Sequence, residues 1–205
     1  MNPYYQFILP RLLDWTMSDS ELSRRREEVL AEVTGETLEI GFGTGLNLPY
    51  YPQQLQKLTT VDANPGMSRI AAKRIQASLI AVEHHVLNGE NLPFASASFD
   101  SVVSTWTLCS IANVEQALQE IYRVLKPGGR FFFVEHGLSQ DPQTQVWQNR
   151  LTPLQKVIAD GCHLNRDIQR LVENQFPASE IERIQLENMP QMIRSMYKGV
   201  ARKNS

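Results

Sequence analysis

Short apolar runs alternate with amphipathic stretches along the chain, and this alternation sets out its architecture. Thr37-Leu-Glu-Ile40, Leu58-Thr-Thr-Val61, Ile80 to Leu87 and the β-branched run Phe99 to Thr105 read as strands. Arg130-Phe-Phe-Phe-Val-Glu-His136 is almost continuously apolar, as expected of a strand covered on both faces. Helical spacing appears at Leu22 to Val33, at Pro65 to Ala77, and at Val114, Leu118, Ile121 and Leu125. Asn113-Val-Glu-Gln116 resembles a capping box ahead of the last of these, and Lys126-Pro-Gly-Gly129 ends it. Strands alternating with helices predict an α/β fold with a parallel sheet and right-handed crossovers. The C-terminal third predicts helices over 144–159 and 166–176, then two final strands over 179–187 and 192–202, for a mostly parallel seven-stranded sheet with helices on both faces. The first of those helices is expected to gather Trp147, Leu151, Leu154 and Ile158 on one side.

The strand at Thr37 ends in Glu39-Ile-Gly-Phe-Gly-Thr-Gly45. Gly41, Gly43 and Gly45 allow a tight turn and bring a ligand close to bare main chain, with a helix expected to start beyond them. A dinucleotide fingerprint needs a further glycine where Leu46 stands, so a pyrophosphate site is disfavoured. Glu39 points to a ligand carrying positive charge. S-adenosylmethionine, with a sulfonium, an ammonium and a carboxylate, fits. Asp62 closes the second strand about twenty residues on, where a doubly wound fold presents a carboxylate to a ribose. Asn64 is the better candidate for the cap of the helix at Pro65.

Composition narrows the rest. The 205 residues suit one domain, with 36–205 as its body and 1–35 as an N-terminal helical segment. Net charge of −2 and pI near 6.1 give no reason to expect nucleic acid. Cys109 and Cys162 fit no metal-ligand spacing, so no metal is expected, and they read as reduced thiols of a cytoplasmic protein. No signal peptide or membrane-length apolar run is seen. The arginine run Arg24 to Arg26 reads as a solvated helix face, an anionic headgroup site being the sharper alternative.

Asn88-Gly-Glu-Asn-Leu-Pro-Phe94, Ser98 to Val103, Trp106-Thr-Leu-Cys-Ser-Ile111 and Glu120 to Gly129 complete a constellation over roughly 36–136. It resembles the class I S-adenosylmethionine-dependent methyltransferases of the quinone and sterol type, which implies a Rossmann-like fold. Gly89-Glu-Asn91, Leu108-Cys-Ser110, Phe133 to His136 and Asp160-Gly-Cys-His-Leu-Asn-Arg166 resemble more narrowly the methyltransferase-like thiol S-methyltransferases of animals and bacterial relatives labelled phospholipid methyltransferases. The animal enzymes of this resemblance carry an N-terminal membrane anchor, and none is expected here. The resemblance implies that Gly41, Gly43 and Gly45 lie under the methionine part of the cofactor. It implies Glu39 toward the ammonium, Asp62 on the ribose hydroxyls, Ala63 beside the adenine, and Asn88, Gly89 and Glu90 near the adenine amine. Thr105, which closes the fourth strand, is counted with them.

Methyl transfer from a sulfonium is an in-line displacement that asks the protein chiefly for alignment and desolvation, so no catalytic triad is expected. His136 at the end of the fifth strand and His163 in the polar cluster Asp160, Cys162, His163 are the candidates for substrate contact; a structural polar cap and a buried network are the alternatives. Trp106 reads as core or as a wall of the acceptor pocket, Cys109 as a small apolar residue, and His84 and His85 carry no role. The expected acceptor is a small, fairly apolar molecule, a thiol by preference. An aminophospholipid amine, a quinol carbon and a non-catalytic binding module are the rivals. Asn2 to Met17 must bury Tyr4, Phe7, Leu12 and Trp15 somewhere, as a lid over the acceptor pocket, against the sheet or a dimer partner, or on a membrane surface with which weak contact is expected.

Overall fold

A computed structural model describes residues 3–204. Seven strands form one sheet in the order β3-β2-β1-β4-β5-β7-β6. They are β1 (Thr37–Ile40), β2 (Lys57–Asp62), β3 (Ala81–Val86), β4 (Phe99–Thr105), β5 (Leu125–His136), β6 (Ala178–Gln185) and β7 (Ser195–Arg202). The first five run parallel, and β7 pairs antiparallel with both β5 and β6. The helices are α1 (Leu9–Thr16), α2 (Ser20–Leu30), α3 (Pro65–Ala77), α4 (Val114–Val124), α5 (Pro142–Ile158) and α6 (Ile168–Gln175). The strand order reverses between β1 and β4, and in open α/β sheets that switch point marks the ligand crevice.

The apolar run of β5 divides by its period of two. Phe131 and Phe133 turn toward α4 and α6, where they meet Leu118, Ile121, Ile168 and Phe176. Phe132 and Val134 turn the other way, toward Val29, Leu30 and Val33 around α2. Helices are N-capped as their sequences ask: Asn64 Oδ1 accepts from the Gly66 amide and Asn113 Oδ1 from the Gln116 amide. The reciprocal half of the expected capping box is absent, because the Asn113 amide donates to Glu90 instead.

Several expectations are corrected. No α-helix follows the glycine turn; a short 3-10 turn, Leu48–Tyr50, stands there, and Pro52 just beyond it would lack the amide donor of a second turn. The apolar stripe of α5 faces outward: Trp147 is 52% exposed, and Leu154 and Ile158 are exposed with it. Its buried face is Thr144, Gln148 and Thr152. Gln148 explains the inversion, because its amide accepts from Ser139 N and donates to the Gly137 and Met192 carbonyls, satisfying loop backbone that no strand pairs. Only Arg24 of the arginine run is well solvated: the Arg25 side chain is largely buried, and Arg26 is buried, donates to the Met17 carbonyl and lies 4.7 Å over the Trp106 ring. The N-terminal segment buries Leu9 and Pro10, whereas Phe7, Leu12 and Trp15 remain exposed, Trp15 by 78%. Asn2 lies outside the described residues.

Candidate active site

The glycine turn begins where β1 ends. The Gly41 and Phe42 amides both donate to the Val61 carbonyl, so the turn is tied to the end of β2. Gly41 has φ +77°, and a Cβ there would strike the Thr107 side chain at 1.9 Å. Gly43 has φ +56° and nothing nearer than 4.0 Å to such a Cβ, which leaves its outer side free for a ligand. Asp62 Oδ2 accepts from Gly43 N at 2.7 Å and its Oδ1 from Asn64 N at 2.8 Å. Burial raises the Asp62 pKa against these two amide bonds. Ala63 beside it is exposed.

Beneath the turn, Glu39 is buried with both oxygens engaged, one by Asn47 Nδ2 at 2.8 Å and one by the Tyr51 hydroxyl at 2.7 Å. Asn47 Nδ2 also reaches Thr105 Oγ1 at 3.0 Å, so Glu39 and Thr105 belong to one network. Desolvation raises the Glu39 pKa to about 8 despite those bonds and the nearby charge of Arg26. Burial lowers Arg26 to about 10. Glu39 is therefore a support under the turn, and Asn47 Oδ1, buried without a partner among the described residues, is an acceptor still open there. On the far side of β1, Asn88 is exposed and accepts from Glu90 N, Gly89 packs on Ile40, and Glu90 holds the α4 cap.

The loop after β4 is pinned from two directions. Glu135 Oε1, fully buried, accepts from Ser104 Oγ, Thr107 N and Leu108 N at 3.0, 2.8 and 3.0 Å. From above, Arg166 donates to the Leu108 and Ile111 carbonyls. His163 N donates to the Cys109 carbonyl, which its Nδ1 also approaches at 3.1 Å. Asp160 Oδ2 accepts from Asn64 Nδ2, joining this segment to the end of β2. His136 is buried, its Nε2 3.1 Å from Cys162 Sγ. Contact with Cys109 and burial push the Cys162 thiol up. The structure thus brings Cys109, His136 and Cys162 together from three segments, all three donor atoms within 4.8 Å of one another. Sequence spacing, which sees only neighbours along the chain, gives no sign of this. His163, next to Cys162 in the chain, lines a surface cleft of about 520 Å³ with Thr152, Lys156 and Asn165. A second groove, about 360 Å³ between α2 and the β6–β7 edge, is lined by none of the candidate site residues.

Asn47, Tyr51, Glu135 and Arg166 are functional candidates that sequence reasoning misses. Glu135 has the same signal as Glu39, an acid set inside an apolar strand. Arg166 lies in a recognised motif without an assigned role, and Asn47 and Tyr51 carry no signal.

A strand-order switch point, a glycine turn with an open outer side and a carboxylate at the next strand tip form the ligand crevice of a doubly wound fold, and the comparisons with known proteins give its class as a methyltransferase. A family model described as a methyltransferase domain matches residues 38–133. Thiol S-methyltransferase TMT1B of Homo sapiens is 32% identical over 201 residues, covering 91% of this chain and 79% of that protein. TMT1B of Rattus norvegicus is 40% identical over 157 residues, 75% of this chain, and the match spans 62% of the rat protein's length. The N-methyltransferase NodS of Bradyrhizobium japonicum WM9, solved with S-adenosyl-L-homocysteine, has the same fold, with a TM-score of 0.69 over 93% of this chain and 92% of that one at 17% identity. The chain belongs to the class I S-adenosylmethionine-dependent methyltransferases and, among them, to the family of the thiol S-methyltransferases.

Residues present fit that cofactor: the space outside Gly43, the Asp62 carboxylate and the open Asn47 acceptor match a group with hydroxyl and ammonium donors. One stability prediction follows from Glu39. A carboxyl whose pKa is higher folded than unfolded weakens the fold as pH rises between the two values. The ligand-free chain should lose stability through Glu39 between pH 4.5 and about 8. The loss is a few kcal/mol at most, since each pH unit between the two values is worth on the order of 1.4 kcal/mol. Urea unfolding near pH 5 and near pH 9 should show Glu39→Gln losing distinctly less than the wild type. Identical pH dependence in both would remove Glu39 as the cause.

Proposed function

We propose that this chain transfers the methyl group of S-adenosylmethionine to the sulfur of a small, fairly apolar thiol. The observation that carries this is the reach of the match to human TMT1B: at 91% of this chain it necessarily takes in most of the segment after β5, beyond the cofactor half. The cofactor supplies a methyl already activated by its sulfonium. The chain's own residues hold and orient. In this reading Asp62 takes the ribose hydroxyls, with Ala63, Asn88 and Gly89 toward the adenine. Gly41, Gly43 and Gly45 lie along the methionine part, and Asn47, braced by Glu39 and Thr105, receives the ammonium. Glu90 serves by fixing the start of α4. A thiol reacts as its thiolate, and a free one titrates near ~8.5, so the acceptor site must favour proton loss.

Residues 3–17 support a lid reading. The Tyr4 and Tyr5 hydroxyls donate to the Ile158 and Val157 carbonyls at the end of α5. The Tyr5 carbonyl accepts from Asn64, and Asp14 pairs with Arg74 at 2.7 Å. The segment thus spans from the β2–α3 turn to the α5 turn, the two sides of the strand ends. The exposed residues Ile8, Leu12 and Trp15, with Trp147, Leu154 and Val157 on α5, favour weak contact with a membrane surface as the second role for this region.

Three measurements test these readings. Radiolabelled cofactor offered with alkyl thiols, quinols and phosphatidylethanolamine should give methyl thioethers; methylation of a quinol or the lipid alone would replace the thiol. Calorimetry of Asp62→Ala with S-adenosylhomocysteine should show roughly ten- to a hundredfold weaker binding, the loss of a charge-assisted hydrogen bond, and unchanged affinity would sink that assignment. Deleting residues 1–17 should retain cofactor binding and lower turnover at least tenfold. Full turnover would refute the lid, and loss of liposome binding alone would leave membrane contact as the segment's role.

A further inference from the structure

Cys109, His136 and Cys162 bring three potential metal-ligand atoms together among the described residues. Cys109 lies on the loop after β4, His136 at the end of β5, and Cys162 in the turn after α5. All three are buried, both thiols are free, and Nε2 of His136 and the two Sγ atoms lie within 4.8 Å of one another. A tetrahedral Zn²⁺ at about 2.0–2.3 Å from its ligands sets N···S near ~3.5 Å and S···S near ~3.8 Å. The observed 3.1 Å from Nε2 to Cys162 Sγ needs only a few tenths of an ångström of relaxation.

The backbone under these donors is fixed independently of them. Glu135 ties down Thr107 N and Leu108 N, Arg166 holds the Leu108 and Ile111 carbonyls, and His163 N holds the Cys109 carbonyl. A Cβ on Gly161 would meet the Ser110 carbonyl at 2.8 Å, so the Cys162 turn lies directly on the Cys109 loop. Such support of ligand-bearing backbone is what a metal centre requires, while Nδ1 of His136, buried without a partner among the described residues, would need a bound water to take its proton. Two thiolates and an imidazole are a donor set suited to Zn²⁺, and the two negative charges neutralise the ion, which permits its burial. Three protein ligands leave one tetrahedral position open, the arrangement of catalytic rather than structural zinc. The same loop carries Thr107, whose hydroxyl touches the Gly41 carbonyl at 3.4 Å, so the group stands beside the cofactor turn.

We propose that Cys109, His136 and Cys162 bind one Zn²⁺ and that the acceptor thiol occupies its fourth position as the thiolate. The second half of this proposal rests on the thiol reading above; the first does not. On metal binding each cysteine S–H bond gives its proton to solvent and a zinc–sulfur bond forms. The entering acceptor thiol likewise releases its proton to solvent, with no change of oxidation state.

The test uses the full chain without a histidine tag, kept reduced. It should retain about one zinc per chain by elemental analysis after dialysis against a weak chelator. Cobalt replacement should give the thiolate-to-metal charge-transfer band and the intense visible bands of a tetrahedral site. Cys109→Ser and Cys162→Ser should each weaken zinc affinity at least tenfold. Ethanethiol should shift the cobalt bands and ethanol should not. Absence of retained zinc together with an octahedral cobalt spectrum in the wild-type chain would overturn the site without requiring any variant to fold. A cobalt spectrum indifferent to ethanethiol would overturn the fourth-ligand assignment. Metal-free enzyme that methylates thiols as fast as zinc-loaded enzyme would also overturn that assignment, while the thiol reading stands.

Discussion

The buried Glu135 carboxylate is the interaction on which the rest of the site depends. One oxygen takes three donors, Ser104 Oγ and the amides of Thr107 and Leu108. Those amides would otherwise be unpaired where β4 ends, and an unpaired buried donor is worth about 1–3 kcal/mol of lost stability. Through them the acid sets the path of the loop that brings Thr107 against Gly41 and Cys109 under the Cys162 turn. Burial raises the pKa of Glu135, and the backbone and hydroxyl donors oppose that rise. The acid therefore acts through position, as a fixed acceptor between two strand ends.

Glu39 has the corresponding role in β1, on the other side of β4. Both acids sit inside strands whose other residues are apolar, and both are buried. Neither faces a partner of opposite charge at hydrogen-bond distance; each is answered by neutral donors, Asn47 and Tyr51 in one case, Ser104 and two amides in the other. Neutral donors cannot cancel the desolvation of a carboxylate, which is why both pKa values rise. Among the described residues, Asn47 Oδ1, Glu135 Oε2 and His136 Nδ1 are three of the five buried side-chain polar atoms without a partner. Their gathering at one end of the sheet separates a place built to receive a ligand from a core built only to be stable.

Much of this is legible in the sequence where a local rule applies. The strands and α3 and α4 follow from period and caps, since those elements bury apolar faces in the ordinary way. The glycine turn and Asp62 are legible because positive φ and a strand-tip carboxylate leave marks at single positions. What escapes are contacts between distant segments. The outward turn of Trp147 and Leu154 cannot be read from their helical spacing, because Gln148 wins the inner face through backbone groups at Gly137, Ser139 and Met192. The thiol and imidazole group escapes for the same reason: its members are separated by 27 and 26 positions along the chain and meet only when the sheet has formed.

The polar inner face of α5 and the exposed apolar residues of α1 and α5 are two consequences of one constraint. The connection from β5 to α5 must satisfy several loop carbonyls and amides where no strand pairs with them, and this needs the Gln148 amide on the helix face turned inward. With that face taken by Thr144, Gln148 and Thr152, the apolar residues of the helix have only the outer side to occupy. The N-terminal segment then covers some of the exposed end of α5 through Tyr4 and Tyr5, and adds apolar residues of its own beside it. The outer side of these two segments is consequently apolar, whereas the floor at the strand ends, from Glu39 to Glu135, is polar and hydrogen-bonded. In the proposed reading, such a division lets the polar floor hold the cofactor while the acceptor enters past the apolar side.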